Sequence, residues 1–219
     1  MNREDNFLTA TDITAVDLDD SGYINNKGAS LYTQGAYSQS VEYYHLAAAM
    51  GNVQAISNLG YCYLYGREIE ADLSLAISYF KIAAKRKDVD AAYKLGDIYG
   101  SSKWGVEDKE LSVYYYRMAA SFLIDDSWES AYAILYSDSL ANYPSLCFAL
   151  GRELSCGGYM HTDIEAAYQF LKHAEAGYLR ELRNGAAMYK KAYQGVLDLL
   201  ASEQFDEIRD RYDELYDEI

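Results

Sequence analysis

Ala55-Ile-Ser-Asn-Leu59-Gly60-Tyr-Cys-Tyr-Leu-Tyr-Gly66 is the stretch on which the fold turns. It returns as Ala91-Ala-Tyr-Lys-Leu95-Gly96-Asp-Ile-Tyr-Gly100 and again as Cys147-Phe-Ala-Leu150-Gly151-Arg-Glu-Leu-Ser-Cys-Gly-Gly158. Thirteen residues after each Leu stands an Asp, at 72, 108 and 163. A small residue, a pair of large apolar residues and an Ala follow in fixed register: Ala76, Tyr79, Phe80, Ala83; Ser112, Tyr115, Tyr116, Ala119; and Ala167, Phe170, Leu171, Ala174. The first step is 36 residues and the second 55, so a helix-sized segment is inserted between the last two copies. A period of this length marks stacked helical hairpins.

Ala55, Leu59, Gly60 and Tyr63 recur at three- and four-residue spacing and so share one face of a first helix, helix A. Gly inside a helix costs about 1 kcal/mol relative to Ala, so Gly60 implies that two backbones approach too closely for a side chain. The recurring Asp suits the N-cap of a second helix, helix B, whose leading amides lack partners. Asp72, Asp108 and Asp163 are therefore read as caps rather than as acids or metal ligands.

Small-x3-Leu-Gly-x2-Tyr-x2-Gly, a loop, then Asp-x3-Ala-x2-aromatic-aromatic-x2-Ala-Ala resembles the Sel1-like repeat, a branch of the tetratricopeptide family with a longer interhelix loop. Gly28, Leu31, Gly35, Tyr37, Ser40, Tyr44 and Ala47 resemble a more ordinary tetratricopeptide unit ahead of it, with Lys27 where an apolar residue is usual. The resemblance implies an all-α fold, an α/α superhelical solenoid of tetratricopeptide and Sel1-like hairpins with a C-terminal helical cap. The expected organisation is a flexible acidic lead-in over 1–22, repeats at about 23–50, 53–88, 89–123 and 143–178, a degenerate helix over 124–142, and a cap over 179–219. In the cap, a long helix is expected from Leu179 to Ala201, interrupted in propensity by Gly185 and Gly195. A final stripe of Phe205, Ile208, Tyr212, Leu215 and Ile219 follows, with acids opposite.

The net charge is −15, which repels nucleic acid and anionic membranes and favours a protein or peptide partner, a basic one included. Met1 to Asp20 lack the basic start and apolar run of a signal peptide, and no stretch reaches membrane-span length, so a cytoplasmic protein is expected. Three cysteines out of repeat phase, Cys62, Cys147 and Cys156, suit free thiols.

Tyrosine supplies 24 of the aromatic residues, against six Phe and two Trp. Many of these tyrosines fall on repeat core positions. By the tetratricopeptide resemblance, the A-helix positions facing a concave groove are Asn25, Tyr32, Ser57, Tyr61, Tyr65, Tyr93, Asp97, Phe148 and Arg152. The function implied is a non-catalytic adaptor that grips a protein segment there. The rivals are self-association into a homodimer through the C-terminal stripe, and catalysis by Cys156 and His161 beside Asp163. Asp17, Asp19, Ser21, Gly22, Ile24 and Asn25 follow a calcium-loop pattern, but Gly28 stands where the bidentate Glu belongs and helix A claims the same residues. No metal or cofactor is expected.

Overall fold

A computed structural model describes residues 8–123, 140, 142–157 and 161–217, with side chains described as far as Arg211. The expected degenerate helix over 124–142 lies almost wholly outside the described residues, as do Ile219 and the side chains of Tyr212 and Leu215 of the terminal stripe. The described residues are helical, with no strand among them. The helices are α1 (Ala10–Asp17), α2 (Ser21–Thr33), α3 (Tyr37–Ala49), α4 (Val53–Tyr65), α5 (Leu73–Lys85), α6 (Val89–Tyr99), α7 (Lys109–Ser121), α8 (Pro144–Cys156), α9 (Ile164–Arg183), α10 (Lys190–Leu200) and α11 (Asp206–Asp217). The chain divides into two compact units, Met1–Leu95 and Gly96–Ile219.

Each hairpin closes by the same device. An added Cβ on Gly60 would lie 2.7 Å from the Phe80 ring, on Gly96 2.5 Å from the Tyr116 ring, on Gly28 2.9 Å from the Tyr44 ring and on Gly151 2.8 Å from Leu171. The glycine of helix A is thus the seat of a large side chain from helix B, so what excludes a side chain there is chiefly a ring, not the second backbone. Phe80, Tyr116 and Leu171 are sealed in, at most 1 % exposed. Where the small residue of helix B is Ser, its hydroxyl donates back to that glycine's carbonyl, Ser40 to Gly28 and Ser112 to Gly96, both at 2.8 Å.

The loops are closed as regularly as the hairpins. Asp72 accepts from the Leu75 amide at 2.9 Å, Asp108 from Leu111 at 3.0 Å and Asp163 from Ala166 at 2.9 Å. The amide of each Asp in turn donates to the carbonyl nine residues earlier, Tyr63, Tyr99 and Leu154. Both functions of the Asp are backbone work, as its position before each helix B implies.

The lead-in, expected to be flexible or weakly helical, carries α1. Thr9 and Asp12 form a capping box, and the buried Asp12 carboxylate accepts from Lys27 of α2 at 2.6 Å and from the Tyr43 hydroxyl of α3 at 2.8 Å. Burial by itself would raise the Asp12 pKa, but the bonds from Lys27, Thr9 and Tyr43 outweigh it and hold the carboxyl well below the usual range. Three helices are therefore pinned to one buried charge. Asp20, capping α2 through the Tyr23 amide, starts the helix at once, so Ser21 to Gly28 is helical and cannot wrap an ion.

The second unit departs from expectation at its end. No helix spans Leu179 to Ala201: α9 runs unbroken through the buried Gly177 to Arg183 and is terminated by Gly185 at φ +92, after which a 3-10 turn leads into α10. Gly195 is no interruption of α10, because its missing side chain admits Phe148 of α8, 3.3 Å from an added Cβ. Val196 and Leu200 bury the same helix, and Phe205 packs on Tyr168 at 5.6 Å. Phe205 and Ile208, the first two residues of the terminal stripe, are buried within the chain. The stripe is capping core at that end.

Candidate functional site

In the first unit, Tyr32 of α2, Tyr44 of α3 and Asn58, Tyr61, Cys62 and Tyr65 of α4 surround a recess of about 200 Å³. Helical spacing puts Tyr61 and Tyr65 one turn apart, and their rings stack at 6.4 Å with 15° between planes. Tyr61 is fixed from below by the edge of Phe80 at 5.0 Å, and Tyr32 by Tyr37 at the same distance. Tyr65 remains 47 % exposed. Burial pushes the Cys62 thiol up to about 11 and raises the Tyr32 and Tyr44 hydroxyls, so the floor carries no charge at neutral pH.

Two cations stand against this aromatic wall. Arg67 lies over Tyr32 at 5.4 Å and Tyr37 at 5.5 Å and donates to the Tyr37 hydroxyl at 3.3 Å. Lys94 lies 5.6 Å from the Tyr61 ring and 5.3 Å from Tyr93. All four ring distances are within the range for attraction between a cation and a ring face.

Of the nine predicted groove residues, the structure gathers Tyr32, Tyr61 and Tyr65 around the recess and brings Tyr93 near it through Lys94. Asn25 and Ser57 are 3 % exposed and line no open surface. Asn25 is spent between helices, accepting from Asn58 at 3.1 Å and donating to Gln54 at 3.4 Å. In the second unit, Asp97 accepts from the buried Tyr116 hydroxyl at 3.0 Å, Phe148 meets α10, and exposed Arg152 faces Glu153 at 3.5 Å. Asp97 and Arg152 both act on the Tyr116 hydroxyl, while Phe148 is turned to Gly195. Arg67, Lys94 and Asn58 carry no signal in the repeat pattern, and Tyr44 and Cys62, read from the sequence as a repeat position and a free thiol, line the recess as well. Arg67 and Glu68 lie in the interhelix loop, to which the repeat pattern assigns no residue, and Arg67 reaches back 30 residues to Tyr37.

As for the catalytic rival, Cys156 is exposed, while the Asp163 carboxylate it would need is engaged as a helix cap. Among the described residues no cluster of three or more His, Cys, Asp or Glu side chains is placed to hold a metal ion, and no helix is long and apolar enough to cross a membrane.

Hairpins that close on a glycine seat, repeated in register, define a helical-repeat protein of the tetratricopeptide-like class. A sequence profile of the Sel1 repeat matches residues 21–52, 53–88 and 89–121, so the chain carries three Sel1 repeats. The crystal structure of a Sel1 repeat protein from Oxalobacter formigenes is similar in fold, with a TM-score of 0.56 and 20 % identity over 78 % of this chain and 62 % of that one. A protective antigen of uropathogenic Escherichia coli displaying an SLR fold matches with a TM-score of 0.48 and 18 % identity, over 76 % of this chain and 41 % of that one. This chain thus spans less than two thirds of the length of either. No curated protein sequence matches it significantly. Sel1-repeat proteins in general are non-catalytic modules of protein–protein interaction.

Proposed function

We propose that this protein is a non-catalytic adaptor that holds a segment of another protein against the A-helix face of its first unit. The observation that carries the reading is the convergence of Tyr32, Tyr61 and Tyr65 on one open recess. Rigid amphipathic rings lose little conformational freedom on contact and dominate interface energetics where they anchor a partner. At about 200 Å³ the recess falls below the roughly 300–1,000 Å³ usual for small-molecule sites, and suits one inserted side chain. The self-association reading loses ground because Phe205 and Ile208 are already consumed within the chain.

The test is affinity capture with the full chain and with a Tyr61→Ala, Tyr65→Ala variant, read by mass spectrometry. Truncating two anchors should cost at least about 2 kcal/mol, a loss of roughly 30-fold in affinity, and partners should vanish from the variant. Recovery of the same partners by both proteins would move the binding surface elsewhere.

A further inference from the structure

The whole-chain charge of −15 favours a basic partner, but the charged group laid against the tyrosines at the recess is a cation, Arg67. The α4–α5 loop places it there. Helix α3 begins at Tyr37 with Ala36 as N-cap, a residue with no side-chain acceptor to offer. Glu68 supplies one from the next repeat: its carboxylate accepts from the Ser38 amide at 3.3 Å and the Ser38 hydroxyl at 3.1 Å. Glu68 holds this position at φ +56, in the left-handed region that side-chain-bearing residues seldom enter. A substitute cap thereby anchors the loop, and Arg67, its neighbour, is laid across Tyr32 and Tyr37 beside the recess.

Arg67 is exposed, and among the described residues no carboxylate forms an ion pair with it; its contacts are with tyrosines. The nearest acid in sequence, Glu68, is turned to Ser38. Lys94 stands on the Tyr61 side of the aromatic wall, its charge shared with Asp90 of the same helix. At physiological salt, charges more than about 8 Å away are largely screened, so a docked segment feels Arg67 more than the distant acidic surface. A guanidinium stacked on rings keeps N–H donors at its edge, which suit a carboxylate better than any other protein group.

We infer that the recess formed by Tyr32, Tyr44, Asn58, Tyr61, Cys62 and Tyr65 takes a large apolar side chain from a partner protein segment in which an adjacent Asp or Glu pairs with Arg67. This rests on the groove reading and specifies its partner: an acidic, apolar segment in place of a basic one. The uncharged floor receives the apolar group, and Arg67 fixes orientation and selects the neighbour.

Random peptides displayed on phage and selected on the full chain test this, with binding of the enriched peptide measured by fluorescence anisotropy. Enriched peptides should set Leu, Ile or Phe beside Asp or Glu. Arg67→Glu, at an exposed position that leaves the fold intact by circular dichroism, should weaken them about tenfold and shift a fresh selection toward Lys or Arg at that neighbour. Peptides that need Tyr61, as shown by loss with Tyr61→Ala, yet show no acidic preference or bind equally well to Arg67→Glu would overturn the inference and leave the groove reading standing. Recovery of no Tyr61-dependent peptide would overturn both.

Discussion

Replacing Gly60 by Ala would ordinarily stabilise a helix by about 1 kcal/mol; here it should destabilise. The new methyl would sit 2.7 Å from the Phe80 ring, where about 3.4 Å is the lower end of ordinary contact, so the ring has to retreat by roughly 0.7 Å. Phe80 is fully buried and edge-packed on Tyr61, so it has nowhere soft to go. Overpacking of this kind costs about 1–3 kcal/mol, which leaves a net loss of about 1 kcal/mol after the propensity gain. Gly22, also in a helix, is the internal control, because its added Cβ meets nothing nearer than Asp20 Oδ1 at 3.5 Å. Gly22→Ala should gain about 0.5 kcal/mol. Urea unfolding followed by circular dichroism should therefore separate the two variants by about 1.5 kcal/mol. In a Phe80→Ala background the Gly60→Ala penalty should disappear, giving an interaction energy of at least about 1 kcal/mol in the double-mutant cycle. Equal and stabilising effects at Gly60 and Gly22 would refute the claim that these glycines are seats for rings.

Asp72→Ala, Asp108→Ala and Asp163→Ala should each cost about 1 kcal/mol in the same assay, while the Asn variants stay near wild type, because either side chain caps a helix; a large loss on Asp→Asn would give the carboxylate another task. The Asp12 carboxyl titrates lower in the folded chain than the unfolded value of about 3.9. Its contribution is therefore complete above about pH 5 and fades as pH falls below about 4, and Asp12→Asn should flatten that acid limb of the stability profile. Breaking the pair strands a Lys27 ammonium that is 26 % exposed, so the loss at neutral pH should be about 2 kcal/mol, less than for a fully buried pair. At pH 8, iodoacetamide should modify Cys156 alone in the native chain, since Cys62 and Cys147 are buried with thiols pushed up to about 11 and about 12; rapid labelling of either buried thiol in mass spectra would contradict the packing.

The hairpins were legible in the sequence because their closure joins residue types that recur at fixed offsets: Gly60 with Phe80, Gly96 with Tyr116, Asp with the start of each helix B. The C-terminal segment was misread for the converse reason. Gly185 and Gly195 look alike in a propensity count, yet one ends a helix at positive φ and the other makes room for Phe148, a partner far away in sequence. Tyr32, Tyr61 and Tyr65 came from the tetratricopeptide resemblance, carried over position by position. Arg67 and Glu68 did not, because their contacts with Tyr37 and Ser38 occur once and leave no periodic trace. The pinning of α1 through Asp12, Lys27 and Tyr43 was hidden in the same way.

Because every two-helix unit fastens itself with its own glycine and its own bulky counterpart, changes at these positions are free to drift only as couples. A shrunken ring would tolerate a methyl opposite; either alteration by itself would be punished. The same self-sufficiency explains how a 55-residue step can separate Leu95 from Leu150 without disturbing the later unit's closure, so lengthening such a protein demands new spacers rather than new locks.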